Sequence, residues 1–292
     1  MTSRTWPKRS LQDANFVFFG GSAGIGRAAA VALAADGANI AIVARGKADG
    51  EAAAAEMRRA GASSAEFIAA DLSTLAGMSA AADAVLAWRP ELHGILHTAM
   101  AAFNGKQMTP DGLEFAFALQ YMARAVLNRR LAPALAASGD GRIVHIAGNV
   151  PNMFMPDLDD LQFERRKWSF FKSVLGTHLL GFLHLQQAAA LFGPAPVWVG
   201  AACVNSTKTK AMADPRMPVI MRLMGKFGAR PEVAAANAVR LLAAAVPEAP
   251  SGSILRNPAK FAPESIALDP AKAARLWEIT TRIAAEHGVE LS

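Results

Sequence analysis

The chain has 292 residues, 52% of them hydrophobic, and a formal net charge of +6 at pH 7. That length allows one large α/β domain or two small ones. No apolar run reaches membrane-helix length, Met1 to Arg9 hold no apolar signal core, and the single cysteine, Cys203, offers neither an internal disulfide nor a metal cluster. The basic residues fall in short scattered groups such as Arg58-Arg59 and Arg165-Arg166-Lys167, without interleaved aromatics, so a nucleic-acid surface is not expected. A cytoplasmic protein without a membrane span is the expectation.

Along the chain, the apolar run Phe16-Val17-Phe18-Phe19 predicts a first strand. Gly20-Gly21-Ser22-Ala23-Gly24-Ile25-Gly26 follows, spaced Gly-x3-Gly-x-Gly, and a helical pattern over 27–35 ends at Asp36-Gly37. A strand, a glycine turn and a helix start bring backbone N–H groups close to an anion such as a pyrophosphate. An ordinary strand–helix turn shares this form. Further strands are predicted over 39–43, 66–70, 94–98, 142–147 and 197–203. Helices are predicted over 47–59, 79–88, 111–137 and 167–191, with loops at 103–110 and 151–164. This alternation predicts an α/β fold: one doubly wound Rossmann domain over 1–292, its parallel sheet covered by helices on both faces. A lid near 206–228 and a C-terminal helical tail over 263–288 complete the expected plan.

These residues resemble the short-chain dehydrogenase/reductase superfamily. The glycine turn is similar to that family's Thr-Gly-x3-Gly-x-Gly, with Phe19 in the Thr place, and Asp71-Leu72 is similar to the pair that holds the adenine. Thr109 to Glu114, the acidic stretch Asp157 to Leu161 and the tail from Asp269 to Trp277 resemble the retinol-dehydrogenase-like branch. Gln120 to Arg124, with Trp168-Ser169, resemble divergent members from microbial secondary metabolism. The resemblance implies a nicotinamide cofactor held by Gly20, Ser22, Gly24, Ile25, Gly26, Asp71, Leu72 and Ala99, and a homo-oligomer. At the end of the second strand an NAD site usually places an acid. Here Ala44 stands there and Arg45 follows, with Lys47 nearby, so NADP(H) is expected: a guanidinium pairs with a 2′-phosphate.

The family's scheme uses a Tyr for proton transfer and a Lys that holds the nicotinamide ribose and lowers the Tyr pKa. A Ser holds the substrate oxygen, and an Asn holds a water relay. By resemblance the Lys is Lys172, the Tyr place is Trp168, the Ser place Gly148 or Asn149, and the Asn place Gln120. His97-Thr98-Ala99-Met100 replaces Asn-Asn-Ala-Gly. An indole N–H cannot shuttle a proton at neutral pH, and a positioned acid/base is worth about 10²–10⁴ in rate. Trp168 is therefore expected as an apolar pocket wall. Tyr121, the only tyrosine, is either a proton donor tuned by Arg124 one turn on or a helix-packing residue. His97 and His145 read as core histidines, and Asp157 as a loop acid that could face the site. The Met-rich stretch from Met212 to Met224 is either lid or core. As a lid it implies a bulky hydrophobic small-molecule substrate. Three functions stay open: an NADP(H)-dependent oxidoreductase, a redox-neutral cyclase or isomerase, and a non-catalytic binding or sensing protein.

Overall fold

The computed structural model describes residues 7–101 and 105–291. Phe103, in the predicted 103–110 loop, lies outside them. Eight strands form one sheet in the order β3-β2-β1-β4-β5-β6-β7-β8. They are β1 Asn15–Phe19, β2 Asn39–Ala44, β3 Ser64–Ala69, β4 Gly94–His97, β5 Gly141–Gly148, β6 Val197–Val204, β7 Ser253–Leu255 and β8 Glu264–Ser265. All pair in parallel except β7 with β8. Helices cover both faces of β1, β4 and β5, so these strands are buried almost continuously rather than on alternate residues.

One face carries α1 (Gly24–Ala34), α2 (Lys47–Ala60) and, after β6, α8 (Pro231–Ala243). The other carries α3 (Leu75–Trp88), α4 (115–137), α5 (171–191) and α9 (Pro270–Glu286). Between β6 and α8 lie the short α6 (Lys210–Ala213) and α7 (Val219–Lys226). The two long helices are not regular α-helix. Each contains a π turn, Ala118–Met122 in α4 and Phe171–Leu175 in α5. A π turn holds an extra residue and rotates every side chain beyond it to a new direction, often beside a functional site.

The strand order reverses between β1 and β4, the crevice where open α/β sheets bind ligands beyond their strand ends. Two acids of the stretch Thr109 to Glu114, picked out in the sequence, secure the helices around it. Asp111 Oδ2 accepts from Leu75 N at 2.6 Å and caps α3. Glu114 Oε2 accepts from Phe117 N at 2.9 Å and caps α4.

Candidate active site

A cleft of ≈ 770 Å³ opens over the carboxyl ends of β1 to β6. Gly20, Ser22, Gly24, Ile25, Gly26, Arg45, Leu72 and Ala99 all line it. The glycine turn is shaped by close approaches. A Cβ on Gly26 would lie 2.4 Å from Thr98 Oγ1 and 2.7 Å from Gly20 O, so α1 packs against β1 and β4 only without a side chain there. Gly24 adopts φ +56°, open to glycine at no steric cost. Ala23 gives α1 no side-chain cap, and its first turn has no acid. The leading N–H groups of an 11-residue helix thus suit an anion.

β1 and β4 are joined by Thr98, whose hydroxyl donates to Phe19 O at 3.0 Å, and by the His97 ring stacked on Phe19 at 4.9 Å. The two departures from the family pattern are therefore packed on each other. Met100 lines the cleft beside them. Asp71 stands next to the lining residues Ala70 and Leu72, its Oδ1 accepting from Ser73 N and Oγ. Lys47 is turned to solvent beside Glu51.

Lys172 requires a correction. Its side chain is exposed and does not line the cleft. From α5 the cleft receives Leu175, the last residue of the π turn, and His178 beyond it. Lys172→Ala is accordingly expected to leave nicotinamide-cofactor affinity unchanged by calorimetry.

Trp168 also departs from its expected place. It packs with Phe170, Val174, Met212 and Met217 behind the cleft, and its Nε1 donates to Glu114 Oε1 at 3.1 Å. Ser173 Oγ donates to the same oxygen at 2.9 Å. Glu114, which the sequence did not single out as a site residue, thus ties the start of α4 to the segment around the π turn of α5. Trp168 is a buttress under the Met-rich segment, not a wall of the cleft.

Tyr121 is a packing residue. Its ring stacks on Phe117 and its hydroxyl lies 2.5 Å from Thr280 Oγ1 in α9. Thr280 donates its own proton to Leu276 O, so the phenol donates to Thr280. Burial pushes the phenol above its usual value, opposite to the lowering expected from Arg124. Tyr121→Phe should cost about 1 kcal/mol in urea unfolding, with cofactor affinity unchanged.

No residue of the acidic stretch Asp157 to Leu161 lines the cleft. Asp160 accepts from Glu164 N, Arg165 N and Arg166 N and Nε. Burial raises its carboxyl, but these donors outweigh that and bring it to about 2. Asp157 pairs with Arg166 at 3.5 Å, and Asp159 pairs with Arg275 of α9.

The inner end of the cleft holds what the family scheme does not supply. Gly148, at the end of β5, lines it with Arg124 of α4 and His178 of α5. Leu119, Leu175, Met212 and Met221 complete this end. Among the described residues no tyrosine lines the cleft. The sequence offered Arg124 only as a neighbour of Tyr121 and gave no sign of His178, and each lies beyond a π turn.

A model of the short chain dehydrogenase family matches residues 15–157. Dehydrogenase/reductase SDR family member 13 of Bos taurus is 32% identical over 139 residues, which is 47% of this chain and 36% of that protein. The chain therefore matches about a third of that relative's length. Short-chain dehydrogenase/reductase drtF of Aspergillus calidoustus is 27% identical over 299 residues, covering 93% of each chain. A short chain dehydrogenase of Burkholderia cenocepacia, solved in complex with NADP, superposes with a TM-score of 0.65 at 21% identity, covering 86% of this chain and all of that one. Over residues 15–157 the chain is thus similar to the short-chain dehydrogenase family, and drtF extends a weaker likeness to almost its whole length.

Proposed function

We propose that this chain is an NADP(H)-dependent oxidoreductase acting on a hydrophobic carbonyl or alcohol substrate. The observation that carries the reading is one continuous cleft, running from the glycine turn and Arg45 to an inner end lined by Leu119, Leu175, Met212 and Met221. The uncapped start of α1 suits a pyrophosphate, and Arg45 suits a 2′-phosphate. When bound, the cofactor supplies or accepts a hydride. The chain's own residues orient the reactants and exclude water: Met212 and Met221 cover the inner end, and Thr98 and Ala99 fix the floor beside the glycine turn. NADP in the Burkholderia relative agrees with this reading.

A second reading rests on a specific observation, the absence of a phenol from the described cleft lining. In that reading the cofactor is retained while the cleft shapes a redox-neutral cyclisation or isomerisation. The two are separated by incubating the protein with C4-deuterated NADPH and a panel of hydrophobic ketones and aldehydes, followed by mass spectrometry. Deuterium in the product supports the oxidoreductase. Product formed without deuterium and without NADPH consumption supports the redox-neutral enzyme.

A further inference from the structure

Arg124 is 3% exposed. Its Nη2 donates to Ile146 O at 3.1 Å, while Nε and Nη1 have no hydrogen-bond partner among the described residues. No carboxylate among those residues pairs with it, and the residues outside them include no Asp or Glu. Burial alone therefore acts on the guanidinium, lowering its pKa to about 10.

His178, 6% exposed, lines the same end of the cleft and has an Nδ1 without a partner. Two glycines leave space around the pair. A Cβ on Gly148 would lie 3.5 Å from the His178 ring, and one on Gly181 would lie 3.5 Å from Arg124 Nη1.

A buried cation with unmade N–H bonds and no counter-charge destabilises the free protein. Such a group is characteristic of a site that an incoming ligand completes. The surrounding apolar side chains exclude water, which strengthens a charge-assisted hydrogen bond.

We propose that Arg124 and His178 form an anion-recognition site at the inner end of the cleft, and that the ligand is an apolar organic acid whose carboxylate rests against Arg124. This deepens the function proposed above by naming the substrate class. It rests on that reading only in treating the inner cleft as the substrate's place. It does not depend on hydride transfer.

The test uses 2-naphthoate and its neutral counterpart 2-naphthamide as probes, titrated calorimetrically with and without saturating NADP⁺. The wild type should bind naphthoate about tenfold or more tighter than the amide. Arg124→Gln should erase that preference while leaving amide binding in place, and Arg124→Lys should retain part of it. The ligand-free Arg124→Leu variant should melt higher than the wild type, because an uncompensated charge is gone. Equal affinities for the two probes, no naphthoate binding at millimolar concentration, or an unchanged preference in folded Arg124→Gln would overturn the proposal. So would a lower melting temperature for Arg124→Leu, which assigns the guanidinium to the fold. Loss of the naphthoate site on NADP⁺ saturation overturns it as well, by assigning Arg124 to the cofactor. Failure of NADP⁺ to bind, with the naphthoate preference intact, counts against the proposed function and leaves this one standing.

Discussion

Replacing Asn128 with alanine is expected to lower the unfolding free energy by about 3–5 kcal/mol. Asn128 is fully buried at the centre of three histidines. Its side chain lies 2.8 Å from His97 Nε2, 3.1 Å from His145 Nε2 and 3.0 Å from His184 Nε2. Alanine leaves three buried imidazole nitrogens without partners, each at a cost of about 1–3 kcal/mol that is not strictly additive. The rings pack on each other and on the core, His97 to His145 at 4.9 Å and His184 to Trp277 at 5.9 Å, so water has no easy route in. Urea unfolding followed by circular dichroism measures the loss. A change below about 1 kcal/mol would show that the cluster contributes little.

The same cluster sets a pH dependence. Burial is the leading cause holding all three imidazoles below their ordinary value, with Arg124 adding to it, and His184 reaches about 4. Folded, they stay neutral, whereas the unfolded chain takes up protons below about pH 6.5. The unfolded state then binds more protons, so stability is complete above about pH 6.5 and is lost as pH falls toward about 4 for His184. Urea midpoints at about pH 7.5 and about pH 5 should differ in that direction.

Arg45→Glu is expected to weaken NADPH binding by about 30- to 150-fold, equivalent to about 2–3 kcal/mol, while leaving NADH binding near its starting value. Arg45 is exposed at the mouth of the cleft, its guanidinium 6.0 Å above the Phe115 ring. Asp49 also lines this end but is paired with Lys210 at 3.3 Å, which offsets its charge. A carboxylate at position 45 would repel a 2′-phosphate and accept from a 2′-hydroxyl. Calorimetry with both cofactors reads the effect. An equal loss for NADPH and NADH would mean that Arg45 does not touch the 2′ position.

The sheet and its glycine turn were legible in the sequence because their signals are local. Six short runs rich in apolar residues and bounded by turn residues marked β1 to β6, and the spacing of Gly20, Gly24 and Gly26 marked the approach of α1 to β4. β7 and β8, of three and two residues, are too short for any periodicity to show. His97 and His145 read correctly as core histidines, but Asn128 and His184, which complete their cluster, gave no sign in the sequence. The inner end of the cleft was the least legible part. Helical periodicity assumes a constant turn, and the π turns at Ala118–Met122 and Phe171–Leu175 break it on both long helices. Lys172 and Trp168 were expected at the site by resemblance, and Tyr121 was left as either a donor or a packing residue, whereas Arg124, Leu175 and His178 line its inner end.

The central claim is that this cleft takes NADP(H) through the glycine turn and Arg45. Calorimetric titration of the wild-type protein with NADPH and with NADH tests it most directly. The expected result is saturable binding of one NADPH per chain, with NADH binding markedly more weakly. Equal affinity for the two cofactors, or no heat of binding from either, would contradict it.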